Sequence, residues 1–541
     1  MGRLYKKSHS ESYRQYFAKA EAVAQVLTQY DRSKDTLTSP WMYQGFSYGG
    51  KGGVPISHDP ETETVYLDHS DTHTLFFGAT GSKKTRIGIL PTVTMLGIAG
   101  ESMVITDPKA EIYARTAGEL AARGYSIKVL QFRSPLQGDG WNPFAIPYDF
   151  YCAGDVDRSF EFVSSIAHNL MISNQSGNKD PFWENSAVSL FYGLTIFMFK
   201  YCQEFGLSKE YVNVASVMRL RELMFSGNDN AIRHSAWWEY GKQDNFIYSA
   251  LVGTVETASD TRGGILTTFD EKMTVFKLTP GLLQTLCRDE IRFDSIGQEK
   301  TALFIIMPDE KTTFHRLVSL AVKQSYEYLI YQVQEQDRHD SFSIWPLRCR
   351  INYVLDEFSS LPPIKDFPSM ITAARSRNIR FFLVAQSKKQ MMQRYGDETE
   401  AIQANCGNWF FFTSRELPLL RELSELCGTT RDGKPVVEAA ELQHLDKGEG
   451  EVLILSGRNL PYVTLLPDID YYRKIFTVHP FQDHETIDVL VLDYDQCQRQ
   501  HAEQQADSLI KDILTGKHPW HTTKSGNTDI PPTQQDLLPN E

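Results

Sequence analysis

The chain has no uninterrupted apolar run of the roughly 18 to 20 residues that a membrane-spanning helix requires. The nearest candidate, "SAVSLFYGLTIFMF" at 186–199, is too short and is interrupted by Ser189, Tyr192 and Gly193, so it reads as a buried helix. The N-terminal stretch "MGRLYKKSHSESYRQYF" has no apolar core of the kind a secretory signal needs. Cysteine is sparse, seven in 541 residues, and no C-x-x-C pair accompanies the H-x-x-x-H spacing of His69 and His73 to complete a zinc site. Reduced thiols in a cytosolic chain are the reading that remains. Positive charge is in deficit too, with 55 Lys and Arg against 68 Asp and Glu for a net of −13. Such a surface does not coat nucleic acid, because counterion release needs clustered cations, although a local basic channel stays open.

What is present is ordinary for a soluble globular protein, 41% hydrophobic and 23% charged residues, and the length exceeds one hydrophobic core. Residues 1–70 are polar, with a helical start at 13–30 and then a Gly-rich stretch, "YGGKGGVPISHDPETETVYLDHSD", that reads as short strands and turns. Residues 71–145 alternate strand and helix, which predicts βαβ units and a parallel sheet. Residues 146–294 are dominated by helix-periodic segments, including "IYSALVGTVETASDTRGGILTTFDEKMTVF", and read as an all-α insertion. The α/β pattern resumes over 295–480, with "KTALFIIMP", "RINYVLDEF", "IRFFLVAQ", "WFFFT" and "GEVLILSG" as strands. Residues 481–541 carry one polar helix and a tail too poor in apolar residues to fold.

The strand "LFF" at 75–77 runs into Gly78-Ala79-Thr80-Gly81-Ser82-Lys83-Lys84-Thr85. Against G-x-x-x-x-G-K-[ST], this puts Lys84 in register for the phosphate-gripping lysine and Thr85 for the magnesium-binding hydroxyl. Lys83 stands where the pattern has glycine. Two readings of Lys83 follow: a strained φ > 0 residue whose ammonium adds a second cation at the phosphates, or a solvent-facing side chain on α-region backbone. A site of this kind needs a second half, an apolar strand ending in acids, and "INYVLDEF" supplies it. Asp356 would serve the magnesium shell and Glu357 the attacking water.

"IRFFLVAQS" ends its strand at Gln386, placed to sense a γ-phosphate or simply to cap the strand. "VITDPKAEIY" ends the second strand at Asp107, in the ligand crevice of an open parallel sheet. Asp107 also suits a helix N-cap, with Pro108 at the first helical position. Arg375, Arg377 and Arg380, with Lys388, Lys389 and Arg394, follow the acidic strand. They read as cations concentrated on one side of the sheet, where an arginine can reach a neighbouring subunit's nucleotide.

In their order, "GATGSKKTR", "ITDPKAEIY", "WNPF", "DPFWENSAVSLFYGL", "LDEFSSLPPI", "FFLVAQS" and "ANCGNWFFFTSRELPLLRELSELCG" resemble the type IV secretion coupling proteins. These are conjugative DNA-transfer ATPases of the TraG/TraD type, in the form found in Gram-positive mobile elements. The resemblance covers about residues 70–470. It implies an α/β fold with a RecA-like P-loop NTPase domain, a mainly parallel sheet and an all-α interruption, together with kinship to FtsK and HerA pumps. It implies ATP and Mg²⁺ as cofactors, a homo-oligomer (a hexameric ring), and DNA or a relaxase–DNA complex as cargo. Residue by residue it matches Lys84 and Thr85 to Walker A, Asp356 and Glu357 to Walker B, and Gln386 to the glutamine after the next strand, with Arg375 as the finger. Family members usually begin with membrane-spanning helices, and no such helix is legible here. The expectation is therefore a bacterial cytoplasmic protein held at the inner face of the membrane by a secretion-channel or small membrane partner. With Lys83 in the loop, turnover is expected to be modest. Two alternatives remain: a recruitment platform with little ATPase activity, and a soluble DNA-processing or defence ATPase.

Overall fold

The computed structural model of the chain describes residues 28–32, 35–38, 52–172, 180–308, 310, 312–339, 349–430, 432–457, 461–472 and 478–492. The polar helix and tail expected past residue 492 lie outside the described residues. So does the expected N-terminal helix up to residue 27, and its last positions are strand instead. Strands β1 (Thr28–Asp31), β2 (Thr36–Thr38), β3 (Val54–Asp59) and β4 (Thr64–Asp68) form an antiparallel sheet in the order β2-β1-β4-β3.

The main sheet has nine strands: β5 (Thr74–Phe77), β6 (Ser102–Asp107), β7 (Ser126–Gln131), β8 (Thr301–Ile306), β9 (Ile351–Leu355), β10 (Ile379–Ala385), β11 (Asn408–Phe411), β12 (Glu451–Ser456) and β13 (Tyr462–Leu465). Their order is β13-β12-β11-β5-β10-β9-β6-β8-β7. Every pairing from β11 to β7 is parallel, and β12 and β13 add antiparallel at one edge. The central strands are apolar on both faces: all of "TALFII" and "IRFFLVA" is buried, as a parallel sheet covered on both sides demands.

The pleat sorts neighbouring residues into two cores. Phe76, Ile105, Val354 and Phe382 face the helices Leu90–Ala99 and Glu111–Ala122 and the small sheet's Val54, Val65 and Leu67. Leu75, Phe77, Val104, Leu355 and Leu383 face the other way, into one core with the helices that lie between β7 and β8. The central one of these, Pro181–Glu204, buries Leu190, Phe191, Leu194, Phe197 and Met198. It contains the apolar stretch 186–199, and no helix among the described residues is long and apolar enough to cross a membrane. The segment expected as one continuous helix over 247–276 is two, Asn245–Val255 and Ser259–Leu278. Ala258 is extended (ψ 149°), and the buried Arg262 guanidinium donates to the carbonyls of Thr254 (3.2 Å) and Thr257 (2.7 Å) that the break releases.

Sheet direction also corrects the expected basic concentration. The seven residues of β10 span roughly 20 Å at ~3.3 Å each, so Arg375, Arg377 and Arg380 lie at the opposite end of the sheet from Lys388, Lys389 and Arg394. Arg380 is not a surface cation at all. It is 1% exposed and donates to Asn352 (2.9 Å), Glu101 (3.1 Å) and the Ser70 carbonyl (2.8 Å).

Candidate functional site

The loop after β5 is pinned to the ends of both neighbouring strands. The Gly78 amide donates to the Ala385 carbonyl (3.3 Å) and the Ala79 amide to the Thr413 carbonyl (2.8 Å). Gly78 is required by close approach, since a Cβ there would lie 2.5 Å from Ser82 Oγ and 3.0 Å from Lys84 Cγ. Lys83 has φ 65° and ψ 19°, a left-handed backbone that costs a non-glycine residue roughly 1 kcal/mol. The α-region reading of Lys83 is thereby excluded. Lys84 folds back so that its ammonium donates to the carbonyls of Gly78 (2.5 Å) and Ala79 (3.3 Å). Ser82 Oγ is buried without a hydrogen-bond partner inside this loop. The helix that follows opens with a wide turn, the Leu90 amide donating to the Thr85 carbonyl five residues back, a geometry common at functional sites. Its first turn has no acidic residue, so free amides and the positive end of the dipole face the loop.

The strand ends beside this loop carry the acids. Asp356 and Glu357 follow β9, and Glu357 is itself left-handed (φ 55°). Gln386, following β10, donates through Nε2 to both Glu357 oxygens (2.7 and 2.8 Å). The Thr80 hydroxyl donates to Gln386 Oε1 (3.2 Å), and the Ser360 hydroxyl donates to Glu357 Oε2 (3.0 Å). A chain of hydrogen bonds thus joins the crest of the loop to the acid pair. Asp107 ends β6, whose Thr106 is in register with Leu355 of β9, which sets Asp107 beside Asp356. Asp107 accepts the amides of Glu111 (3.0 Å) and Tyr113 (2.7 Å). The helix it caps begins at Glu111, because Ala110 is left-handed (φ 57°). Pro108 therefore lies in a turn and not at the first helical position.

Burial dominates the electrostatics. It pushes Asp356 up to about 6, aided by the Glu357 charge and opposed by Lys84. It pushes Asp107 up to about 7, with the Tyr113 amide opposing and Asp356 adding to the rise. Burial also pulls the Lys84 ammonium below its ordinary value, while Asp356 and Glu357 pull it back. The cradle that a Cβ at Gly78 would fill, the unpartnered Ser82 hydroxyl and buried carboxylates short of positive charge suit a phosphate ester with a hard divalent cation. Arg375 is not part of this cluster. It pairs with Asp71 (3.0 Å) before β5, at the far end of the sheet.

Residues 24–434 match the family model described as "Type IV secretory system Conjugative DNA transfer". The chain belongs to this conjugative DNA-transfer family. A curated relative, conjugal transfer protein TraG of Escherichia coli, is 23% identical over 391 residues, 69% of this chain and 57% of its own length. The chain thus spans less than three fifths of that relative. Among solved structures, the bacterial conjugative coupling protein TrwBdeltaN70 in complex with sulphate aligns with a TM-score of 0.54 at 16% identity, over 77% of this chain and 89% of its own. The plasmid coupling protein TrwB in complex with ADP and Mg²⁺ aligns with a TM-score of 0.52 at 17% identity, over 77% and 88%. The shared fold is the RecA-like P-loop domain with its mainly parallel sheet.

In this member of the conjugative transfer family, several neighbours of the loop carried no signal in the sequence. Ser360 lies three residues from Glu357, whereas the partners of Arg86 lie far along the chain. The Arg86 guanidinium donates to both oxygens of Asp468 (2.8 and 2.5 Å) and to Asp470 (2.7 Å), across nearly four hundred residues. Burial works against the Asp468 charge, but those hydrogen bonds and the nearby charges of Arg86 and Lys83 hold its pKa below the ordinary value. Lys83 therefore lies within Coulombic reach of Asp468. Lys83→Gly is expected to leave ATP affinity within about twofold, because glycine adopts the left-handed backbone already present there and keeps the loop amides in place. A nucleotide titration checks this, and a tenfold loss would place the ammonium at the phosphates instead.

Proposed function

We propose that this protein is the ATP-driven coupling protein of a conjugative type IV secretion system, a ring-forming motor that recruits a relaxase–DNA substrate and drives its transfer. The observation that carries the reading is the convergence of Lys84, Asp356, Glu357 and Gln386 with a glycine-cradled loop at one edge of a parallel sheet. The presence of ADP and Mg²⁺ in the TrwB complex supports ATP and Mg²⁺ as the ligands here. We take 71–145 with 295–480 as the nucleotide-binding domain, 1–70 as an N-terminal extension and 146–294 as an all-α domain that meets substrate proteins. Residues 481–541 form a C-terminal extension.

In this reading the loop amides beyond Ala79 surround the phosphates and Lys84 exchanges the carbonyls of Gly78 and Ala79 for phosphate oxygens. The Thr85 hydroxyl and Asp356 would hold magnesium, which would supply charge neutralisation at the phosphates. Glu357 accepts the proton of the attacking water as its oxygen bonds the γ-phosphorus and the β–γ bridging oxygen leaves with ADP. Gln386 and Ser360 hold that carboxylate in place, and the Asp107 carboxylate keeps the neighbouring strand end closed by accepting the amides of Glu111 and Tyr113. Arg375, half-exposed at the far end of the sheet, suits a finger for the next subunit in a head-to-tail ring. A membrane-associated or secretion-channel partner would bring the ring to the inner face of the cell membrane.

The DNA path is more restricted than the run of cations suggested. The Lys388 ammonium is taken by both oxygens of Glu422 (2.8 Å each), which leaves Lys389 and Arg394 on the exposed face. Reversing these two to Glu is expected to weaken DNA binding alike for every sequence and to flatten the salt slope by up to about 2. Anisotropy titrations at several salt concentrations read the slope, and an unchanged slope removes this face from the path. Hydrolysis measured with and without DNA tests the motor itself. Stimulation is the expected result, and a slow rate indifferent to DNA would favour a recruitment platform, a reading to which the left-handed Lys83 lends some support. Stimulation by DNA without any dependence on a relaxase or secretion partner would favour a free-standing DNA-processing or defence ATPase.

A further inference from the structure

Because β12 runs antiparallel to β11, its first residue lies where the parallel strands end. Phe411 is in register with both Phe77 of β5 and Leu453 of β12. The turn that leads into β12, residues 446–450, is thereby carried to the edge of the sheet that holds the phosphate loop. That turn is tightly built. Asp446 Oδ1 accepts the amides of Gly448 (2.8 Å) and Glu449 (3.3 Å). The buried Glu451 accepts the Asp446 amide through Oε2 (2.8 Å) and returns its own amide to the Asp446 carbonyl (3.0 Å). Gly450 has φ 79°, and a Cβ there would meet the Leu466 carbonyl at 2.3 Å. A second tie runs through Thr413, which accepts the Ala79 amide with its carbonyl and donates its hydroxyl to the Gln443 carbonyl (3.4 Å).

At the crest of this turn stands Lys447. Its ammonium lies 3.5 Å from the Gly81 carbonyl, it is exposed, and among the described residues no carboxylate lies within ion-pair distance of it. Gly81 follows Thr80, whose hydroxyl joins Gln386 and through it Glu357. Those groups mark the terminal-phosphate end of the site. We propose that Lys447 is a phosphate-binding residue supplied in cis, contacting the terminal phosphate of a bound nucleoside triphosphate. It is a second cation beside Lys84. A long four-carbon stem lets the ammonium move from the loop carbonyl to a phosphate oxygen without moving the turn.

The inference rests on the nucleotide-site reading, and the experiment separates the two. ATP and ADP are titrated, with Mg²⁺, against the parent full-length chain, Lys447→Ala, Lys447→Arg and Lys84→Ala. Lys447→Ala is expected to lose about tenfold in ATP affinity, the value of one charge-assisted hydrogen bond, with ADP affinity within about twofold and an unchanged melting temperature. Lys447→Arg is expected to retain most of the ATP preference. Parental ATP binding by Lys447→Ala, with binding lost in Lys84→Ala, overturns this proposal alone. An equal loss of ATP and ADP with a lowered melting temperature assigns Lys447 a structural role and also overturns it. Parental binding by Lys84→Ala overturns the nucleotide-site reading and this proposal with it.

Discussion

Glu357→Gln is expected to bind ATP with near-parental affinity and to hydrolyse it about a hundred- to ten-thousand-fold more slowly. The substitution removes the proton acceptor while keeping size and shape, and the geometry shows why binding should survive. Among the described residues Glu357 has no hydrogen bond to the loop itself. It reaches the loop only through Gln386, which donates to Glu357 on one side and accepts from Thr80 on the other. An amide oxygen at position 357 still accepts from Gln386 or from Ser360, so the left-handed turn keeps a partner. Asp356 stays in place beside Lys84, and the loss of the Glu357 charge lets Asp356 ionise more readily for magnesium. Nucleotide affinity and single-turnover hydrolysis measured on the same preparation give the split. Hydrolysis at the parental rate would mean that the water is activated by another group, and the assignment of this acid pair would be wrong.

A different variant should do the most damage to folding. Glu101→Ala, at the end of the sheet remote from the loop, is expected to lower stability by about 3–5 kcal/mol, because it strands a buried guanidinium. Both side chains of the Arg380–Glu101 pair are 2% exposed. Burial, with the neighbouring Arg350 charge, pulls the Arg380 pKa down to about 10, and Glu101, Asp68 and Asp71 oppose the shift. Glu101 also accepts the Gly52 amide (2.9 Å) and the Asn352 amide (2.8 Å), so three donors lose an acceptor at once. Urea denaturation of the parent, Glu101→Ala and the double variant with Arg380→Leu reads the effect. The double variant is expected to recover part of the loss, since it leaves no uncompensated charge. A midpoint for Glu101→Ala equal to that of the parent would show that water reaches the pair and that it contributes little.

Together the two variants separate the ends of one sheet, and that division is where sequence and tertiary structure part company. Arg375 and Lys389 are fourteen positions apart, and the sequence reads them as cations on one side of the sheet. The direction of β10 carries one to the Asp71 end and the other to the loop. Charge counted along a chain has no address until strand direction assigns it one. The same holds for Lys388, whose Glu422 partner sits on another helix, and for Lys83, whose neighbour Asp468 was out of view.

What the sequence determined by itself is local. The spacing from Gly78 to Thr85 dictates a loop between a strand and a helix, because glycine conformations and the lysine position are set within eight residues. An apolar strand ending in Asp356-Glu357, and another ending in Gln386, place polar groups at strand ends wherever the sheet is parallel. Alternation of strands and helices implies that sheet, and the ordered motifs imply the family, to which residues 24–434 belong. Tertiary structure alone decided what long-range pairing decides. It set the burial of Arg380 against Glu101 and the turn that brings Lys447 to Gly81. Each depends on partners hundreds of residues away, brought together by burial of the two cores, and a pattern within one segment carries no record of them.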